Sequence, residues 1–288
     1  MKKLQGKIYI VTGANSGIGY AAAEHFAAEG AEVVMVCRNE AKGKQAQHEI
    51  QQATGSALVH LEIADFSSLQ SISQLADRLL STYPRIDVLC NNAGGANAGR
   101  KVTTEGFELT FVTNHLSGFL LTNKLLPGLL DHEGDAARVV FTSSLGHKNS
   151  PLDFDDLNLE KDYNTLRAYG RSKLMNLLTA RELHRRYGDR NLIASSFHPG
   201  AVRTAIWSKG GILARLIGIV MYPFMWSIAK GADTFIWLAS SNDKEVLEAQ
   251  GNYFFDRRKP RIAEFATDEA AAELWQVSEK LVEPYLQT

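Results

Sequence analysis

The stretch Lys7-Ile8-Tyr9-Ile10-Val11-Thr12-Gly13-Ala14-Asn15-Ser16-Gly17-Ile18-Gly19 decides the fold of this chain. Residues 7–12 are mostly apolar, which predicts a buried strand. The glycines at positions 13, 17 and 19 then form a turn, and residues 19–29 continue as a helix. Glycines between a strand and a helix let the backbone approach a phosphate, whose charge the helix N-terminus favours. The stretch therefore predicts a site for the pyrophosphate of a dinucleotide.

The spacing of these glycines leaves an alternative open. It is Gly-x-x-x-Gly-x-Gly, whereas the common dinucleotide fingerprint is Gly-x-Gly-x-x-Gly. Taken alone, the glycines are also compatible with an ordinary strand-to-helix turn. The strand before the turn and the helix after it favour the dinucleotide.

Strand-like and helical patterns alternate over most of the chain. Further apolar runs occur at residues 32–37, 57–63, 86–91, 138–142 and 192–197. Helical patterns separate them, up to about residue 53 and at residues 68–81, 105–130 and 163–187, and a last amphipathic helix covers residues 268–286. Near-continuous apolar strands joined by helices predict a parallel sheet covered on both faces, with right-handed crossovers. We therefore predict an α/β fold with a doubly wound, mostly parallel sheet, the Rossmann fold.

No linker rich in Pro, Gly or Ser and no internal repeat divides the 288 residues. We predict a single domain over residues 1–288. Its dinucleotide-binding and catalytic core is expected at residues 5–200, its substrate-binding segment at 201–235 and its C-terminal part at 236–288.

The composition excludes several classes of protein. Apolar residues make up 45% of the chain, enough for a sizeable core, and 31 basic residues nearly balance 32 acidic ones. The near-zero net charge does not indicate nucleic-acid binding, and the sequence has no run of basic residues that would bind an anionic membrane surface. Cys37 and Cys90 are expected to be buried free thiols, and no metal site is predicted. The N-terminus leads directly into the first strand without an apolar signal segment, so we expect a cytoplasmic protein.

Tyr169 and Lys173 form a second informative motif, in the run Tyr169-Gly170-Arg171-Ser172-Lys173. Residues four apart lie on one face of a helix. A cation beside a phenol favours the phenolate, so Lys173 is expected to lower the pKa of Tyr169 from its ordinary value of about 10. Such a phenol can donate and accept a proton near neutral pH. Together with a dinucleotide site, the pair indicates transfer of a hydride and a proton between a carbonyl and an alcohol.

Three motifs together resemble the short-chain dehydrogenase/reductase family: the glycine turn, Asn91-Asn92-Ala93-Gly94 after the fourth strand, and the Tyr169/Lys173 pair. They follow the family order, and the resemblance covers roughly residues 5–260. It implies four catalytic residues, which are Asn114, Ser144, Tyr169 and Lys173. Ser143 and Ser144 both end the fifth strand, and Ser144 aligns with the family serine.

The resemblance also implies a role for each residue. Tyr169 exchanges a proton with the substrate oxygen, and Ser144 orients that oxygen. Lys173 bonds the nicotinamide ribose, and Asn114 holds a water that joins Lys173 to solvent. The residues implied in cofactor binding are Gly13, Asn15, Ser16, Gly17, Ile18, Gly19, Arg38, Asp65, Asn92, Ala93, Gly94, Tyr169, Lys173, Pro199, Gly200, Val202 and Thr204. His198 could act as a general base, but we favour an ordinary strand-end residue before proline, because Tyr169 already fills that role.

The end of the second strand bears on the choice of cofactor. Rossmann folds that prefer NAD place an acidic residue there, which binds the ribose 2′-hydroxyl. Here Cys37 and Arg38 occupy that place, so no carboxylate repels a 2′-phosphate and a guanidinium can pair with it. We therefore predict NADP(H) over NAD(H), with a solvated Arg38 as the alternative. Asp65 resembles the family aspartate at the adenine ring, and it could also cap the next helix.

Two segments bear on the substrate. An acidic insertion precedes Tyr169, and the sequence around residues 157–174 resembles the retinol-dehydrogenase-like branch, whose members commonly act on bulky apolar alcohols and carbonyls. Residues 206–228 are rich in large apolar side chains, among them Trp207 and Trp226. That segment could be a lid over an apolar pocket, plain core or a membrane contact, and we favour the lid.

We predict an NADP(H)-dependent oxidoreductase that interconverts a small apolar aldehyde or ketone and the corresponding alcohol. The alternatives are a dinucleotide-binding regulator or scaffold without turnover, and a protochlorophyllide-reductase-like enzyme. The complete catalytic set favours turnover, because a binding module needs no proton donor. Surplus apolar positions on the helices at 105–130 and 163–187 also predict a homo-oligomer.

Overall fold

The computed structural model describes residues 2–130, 133–202 and 225–286. Its strands are β1 (Ile8–Thr12), β2 (Glu32–Cys37), β3 (Val59–Ile63), β4 (Val88–Asn91), β5 (Ala137–Thr142), β6 (Leu192–His198) and β7 (Tyr253–Phe255). In the described residues they form one sheet in the order β3-β2-β1-β4-β5-β6-β7, and every neighbouring pair is parallel. The chain changes direction across the sheet between β1 and β4, where doubly wound sheets bind their ligands. The predicted doubly wound parallel sheet is confirmed.

Helices cover both faces of this sheet. They are α1 (Gly17–Ala28), α2 (Glu40–Thr54), α3 (Leu69–Thr82), α4 (Leu109–Phe111), α5 (Ser117–Leu129), α6 (Thr165–Tyr187), α7 (Ile228–Ser240), α8 (Lys244–Leu247) and α9 (Asp268–Leu286). A π-helical turn, Val112–Leu116, joins α4 to α5.

The structure corrects the predicted bounds of two helices. The helix predicted at residues 105–130 begins only at Leu109, because the Glu108 side chain caps it by accepting from the Phe111 N–H at 2.8 Å. The helix predicted at residues 163–187 begins at Thr165, after Asn164 accepts from two backbone N–H groups of the first turn. The elements α7, α8 and β7 were not predicted.

The sheet separates two apolar layers. Alternate strand residues point to opposite faces, so Phe197 and Phe254 lie in the layer with α1 and α7, whereas Tyr253 lies in the layer with α5, α6 and α9. The free thiols of Cys37 and Cys90 are both buried in the first of these layers, as predicted. In the described parts of the chain, no helix is both long and apolar enough to cross a membrane.

The C-terminal helix α9 packs across α5 and α6. Its Trp275 is 1% exposed, and the Trp275 ring meets the Phe119 ring with centroids 4.8 Å apart. Ser278 Oγ lies 2.8 Å from Nε2 of His115, a buried residue of the π-helical turn. The apolar side chains on which the homo-oligomer prediction rested are all buried within the chain: Leu116, Phe119, Leu120, Leu174, Met175, Leu177 and Leu178. They are core residues of one chain, so this argument for a homo-oligomer is corrected.

Candidate active site

Glycine is required in the turn between β1 and α1 by both conformation and packing. Gly13 and Gly17 have φ angles of 69° and 60°, in the left-handed region that favours glycine. A Cβ added to Gly19 would lie 2.5 Å from the side-chain nitrogen of Asn92 and 2.5 Å from the Gly13 carbonyl oxygen. The backbone of the turn therefore packs directly against Asn92, at the end of β4, with no room for a side chain at Gly19.

Thr12 joins the ends of β1 and β4. Its hydroxyl donates to the Cys90 carbonyl at 3.1 Å and accepts from the backbone N–H groups of Asn92 and Ala93, each at 2.9 Å. The Asn92 side-chain amide donates in turn to the Thr12 carbonyl at 2.9 Å. Two sequence motifs that lie 80 residues apart thus form one surface.

The first turn of α1 fits a phosphate group. Ser16 is the N-cap residue, preceded by Asn15, and its side chain makes no capping hydrogen bond. No acidic side chain lies in this first turn, so its orphan N–H groups and the helix dipole favour an anion there. Ile18 and Val202 both approach Gly231 of α7, which places the chain after β6 beside the same turn. These residues fit the pyrophosphate of a dinucleotide.

The end of β2 carries a neutral side chain followed by a cation. Burial raises the pKa of the Cys37 thiol to about 11, so it stays uncharged. Arg38 is exposed and has no hydrogen-bond or ion-pair partner among the described residues. Its neighbour Asn39 caps α2 by accepting from the Lys42 N–H at 2.9 Å.

Asp65 follows β3 on the same edge of the sheet. It is exposed, and its Oδ1 accepts from the N–H and the hydroxyl of Ser67 at 3.0 and 2.8 Å. The N-cap of α3 is Ser68, so the alternative that Asp65 caps this helix is wrong. Its place after β3 stays compatible with a contact to the adenine.

Helix α6 carries the Tyr169/Lys173 pair. The Lys173 ammonium lies 5.6 Å from the centroid of the Tyr169 ring and donates to the Thr142 carbonyl, at the end of β5, at 3.0 Å. The Asn176 side chain donates to the same carbonyl at 3.0 Å. The main chain of β5 thus holds the lysine, a contact that sequence patterns did not reveal.

The two serines after β5 have different partners. The Ser143 hydroxyl is 1% exposed and donates to the Lys173 carbonyl at 2.6 Å, so it serves the packing of α6. The Ser144 hydroxyl accepts from the Gly146 N–H at 3.2 Å and lies close enough to Tyr169 to lower the pKa of its phenol. The geometry therefore favours Ser144 over Ser143 as the group that faces the reacting atoms.

Asn114 lies in the π-helical turn and fastens the loop after β4. Its Oδ1 accepts from the Gly95 N–H at 2.8 Å, and its Nδ2 donates to the Gly95 carbonyl and to the Ser172 hydroxyl, each at 2.9 Å. A Cβ added to Gly94 would lie 2.8 Å from Asn114 Oδ1 and 3.4 Å from Lys173 Nζ. Asn114 and Lys173 therefore converge on the glycine, and the sequence contained no signal for the Gly95 contact.

The electrostatics of the Tyr169/Lys173 pair differ from the expectation. Burial raises the pKa of Tyr169 above its ordinary value, and the hydrogen bond from Ser144 lowers it in part. Burial also lowers the pKa of Lys173 to about 8. The expectation that Lys173 lowers the pKa of Tyr169 is thus wrong for this structure, because burial outweighs the opposing effect of Ser144 and the Lys173 ammonium is bonded to the Thr142 carbonyl.

The segment after β6 returns to the site. Gly200 has a φ of 84°, and a Cβ there would lie 2.6 Å from the Trp226 ring, while Val202 pairs with Trp226 in an isolated bridge. His198, before Pro199, stacks on Phe255, and burial lowers its pKa to about 4. An imidazole with so low a pKa is a weak base, which supports the interpretation of His198 as a strand-end residue and not a general base.

Some expectations cannot be compared with the structure. Thr204 and residues 206–224, which include most of the proposed lid, lie outside the described residues. In the part of the chain that the structure describes, no group of three or more His, Cys, Asp or Glu side chains could hold a metal ion.

Comparison with known proteins agrees with this geometry. The family model described as short chain dehydrogenase matches residues 7–211. Retinol dehydrogenase 14 of Mus musculus is 40% identical over 294 residues, covering 97% of this chain and 86% of that protein. A proposed daunorubicin C-13 ketoreductase, DnrU, of Streptomyces sp. (strain C5) is 39% identical, covering 96% of this chain and 92% of that one. A crystal structure of an uncharacterized Mycobacterium paratuberculosis protein is similar with a TM-score of 0.77 and 30% identity, covering 97% and 94% of the two chains.

The chain therefore belongs to the short-chain dehydrogenase/reductase family. Its similarity to retinol dehydrogenases places it in the retinol-dehydrogenase-like branch, and it is an NAD(P)-dependent oxidoreductase.

Proposed function

We propose that this protein interconverts an apolar aldehyde or ketone and the corresponding alcohol with NADP(H), using Tyr169, Lys173, Ser144 and Asn114. The observation that carries the proposal is the convergence of these side chains beside the glycine turn, at the carboxyl ends of β4 and β5. The names of the two relatives, a retinol dehydrogenase and a ketoreductase, support alcohol–carbonyl chemistry.

The proposed mechanism assigns proton transfer to Tyr169. When bound, the nicotinamide supplies or accepts the hydride. Because burial keeps the phenol protonated at neutral pH, Tyr169 is prepared to donate a proton to the carbonyl oxygen in the direction of reduction. In oxidation it accepts the proton of the alcohol. Ser144 donates a hydrogen bond to the same oxygen as charge develops on it.

Lys173 and Asn114 connect the structural elements that form this site. The Thr142 carbonyl fixes the Lys173 ammonium, from which a cofactor hydroxyl could accept a hydrogen bond. Asn114 fixes the loop after β4 through Gly95 and reaches α6 through Ser172. Its expected role in holding a water that leads to solvent stays a prediction.

Exposed apolar side chains beside the reacting groups support an apolar substrate. Leu145 follows Ser144 directly and is 54% exposed, and Leu166 lies one helical turn before Tyr169 and is 79% exposed. The sequence of residues 206–228 adds further apolar side chains after β6. A screen of apolar aldehydes, ketones and alcohols, followed by reduced-nicotinamide absorbance, tests the proposed activity. Turnover of sugars or organic acids alone would contradict it.

Arg38→Ala is expected to weaken NADPH binding by about 10- to 100-fold, the range of one hydrogen bond to a charged group. NADH binding is expected to change little, because NADH carries no 2′-phosphate for Arg38 to contact. Fluorescence titration with both cofactors measures the two effects. Lys42→Ala, which removes an exposed cation one helical turn away, is the control. Equal losses for NADPH and NADH, or a preference of the unmodified protein for NADH, would contradict the assignment.

Ser144→Ala is expected to move the alkaline limb of the kcat/KM profile for carbonyl reduction to higher pH. Reduction needs the protonated phenol, so its rate falls as pH rises through the pKa of Tyr169, and the Ser144 hydrogen bond lowers that pKa. Ser143→Ala is the matched control, because its hydroxyl bonds to the Lys173 carbonyl instead. A limb that moves to lower pH in Ser144→Ala, or equally in both variants, would refute the assignment of Ser144.

Two further expectations belong to this proposal. A cytoplasmic location stays a prediction. A homo-oligomer also stays a prediction, without the support of the apolar positions on α5 and α6, which are buried in one chain.

A further inference from the structure

A cluster of buried polar groups lies behind Ser144 and Tyr169. We call it the buried polar cluster, and its members are His147, Ser196, His198 and Tyr253. Four of its polar atoms have no hydrogen-bond partner in the described residues: His147 Nε2, Ser196 Oγ, His198 Nδ1 and Tyr253 Oη. Buried polar groups are normally hydrogen-bonded, so four such atoms in one place call for an explanation.

The topology brings these residues together. In the β6–β7 pair, Ser196 lies opposite Tyr253 and His198 lies opposite Phe255. These residues alternate with Phe197 and Phe254, so they point to the face of the sheet that α6 covers. His147 comes from the 3₁₀ helix Leu145–Asn149 directly after Ser144, and its ring meets the Tyr253 ring at 4.8 Å in an edge-on contact.

His147 is bonded to the backbone of Ser144. Its Nδ1 lies 2.6 Å from the Ser144 carbonyl oxygen. A carbonyl can only accept, so Nδ1 must carry the proton. Burial lowers the pKa of this imidazole and keeps it neutral. Nε2 is therefore an acceptor, and it is completely buried.

Tyr253 packs against His147 through its ring. Its hydroxyl is buried and makes no hydrogen bond to His147 Nε2 or to any other described residue, so the two side chains meet only in the edge-on contact of their rings. Tyr253 also lies close enough to Tyr169 for a negative charge on one phenol to raise the pKa of the other. The buried polar cluster therefore reaches both of the side chains that face the reacting atoms.

We propose that His147, packed against the Tyr253 ring, is a positioning residue for the active site and fixes the Ser144 backbone so that the Ser144 hydroxyl faces Tyr169. The inference rests on the proposed function. Ser144 starts a 3₁₀ helix of only five residues, whose single side-chain cap is the Ser144 hydroxyl on Gly146. The hydrogen-bond geometry inside such a helix is poor. The Ser144 carbonyl accepts from the His147 backbone N–H at 3.2 Å and from Nδ1 at 2.6 Å, so the imidazole adds a second and shorter bond that fixes the direction of this carbonyl.

Three variants test this proposal. His147→Leu keeps the volume and removes the donor, whereas in His147→Asn the side-chain amide can take the place of Nδ1–H. Tyr253→Phe keeps the ring against which His147 packs and removes only a hydroxyl that makes no hydrogen bond, so it is the control. We expect His147→Leu to lower kcat by up to about 100-fold, as expected for a misplaced catalytic group. We expect His147→Asn and Tyr253→Phe to stay close to the unmodified protein, and NADPH affinity to be unchanged in all three.

The decisive measurement is a double-mutant cycle with Ser144→Ala. If His147 acts through Ser144, its substitution has no further effect on kcat once the Ser144 hydroxyl is gone. Equal losses with and without that hydroxyl, or a His147→Asn variant as slow as His147→Leu, would show that His147 only fills space and would overturn the inference. Where His147→Leu does not fold, His147→Gln, whose amide corresponds in position to Nε2 instead of Nδ1, replaces it in the cycle, and a His147→Gln variant as fast as His147→Asn overturns the inference. The proposed function fails separately, if Tyr169→Phe keeps its activity.

Discussion

Tyr169→Phe is expected to lower kcat by about 10²–10⁴-fold, the usual contribution of a general acid or base. Phenylalanine keeps the ring against which the Lys173 ammonium lies and removes only the hydroxyl near Ser144. The glycine turn joins β1 to α1, and Arg38 follows β2. Neither is touched by the substitution, so NADPH binding is expected to change little. Steady-state kinetics with an apolar carbonyl compound and a direct cofactor titration measure the two quantities.

Tyr163→Phe is the matched control for this experiment. Tyr163 precedes α6, and its hydroxyl lies 3.4 Å from Glu108 Oε1, away from the reacting groups. We expect this variant to keep kcat within a few-fold of the unmodified protein. Near-normal turnover in Tyr169→Phe would refute the mechanism. Loss of NADPH binding in that variant would show that the hydroxyl serves the cofactor site rather than proton transfer.

The parts of the site that could be predicted are those in which local sequence determines local backbone. The glycine turn follows a buried apolar strand, and Gly13 and Gly17 have the positive φ angles that such a turn needs. Tyr169 and Lys173 are one helical turn apart in α6, as their spacing required. Parallel strands are buried on both faces, so short apolar runs were sufficient to predict six of the seven described strands.

The remaining features depend on contacts between distant parts of the chain. The π-helical turn that carries Asn114 changes a backbone hydrogen-bond pattern without changing the apolar pattern. Strand β7 has three residues, too few for a period of two to appear. The pKa of Tyr169 depends on how far the folded chain removes it from water, which the spacing to Lys173 does not reveal. The predicted direction of that shift was wrong for this reason.

The surplus of apolar positions on α5 and α6 also depends on a contact between distant parts of the chain, which the sequence does not reveal. The sequence indicates an apolar surface but not what covers it. The amphipathic C-terminal helix was recognised, yet its pairing with α5 and α6 was not. In the structure the apolar faces of α5 and α6 are covered by the apolar face of α9. Trp275 of α9 meets Phe119 of α5, and the Arg186 guanidinium of α6 lies 4.9 Å from the centroid of the Trp275 ring.

Trp275→Ala is accordingly expected to lower the free energy of unfolding by about 3–5 kcal/mol, the usual cost of truncating a buried large aromatic side chain. The side chain is 1% exposed, and its loss opens a cavity among α5, α6 and α9. The cofactor turn and the Tyr169 hydroxyl do not contact it, so the folded variant is expected to keep its kcat. Urea denaturation followed by circular dichroism measures the effect.

Gln276→Ala, at the next and exposed position of α9, is the control and should change the free energy of unfolding by no more than about 0.5 kcal/mol. The variant Trp275→Ala also loosens the helix that covers the apolar faces of α5 and α6. We therefore expect it to self-associate more than the unmodified protein at micromolar concentration, which light scattering detects. A loss of stability below about 1 kcal/mol, with unchanged mass, would contradict the argument, because truncating a core aromatic of this size costs more than that. It would mean that α9 is held by contacts other than Trp275 and that the faces of α5 and α6 stay covered without it.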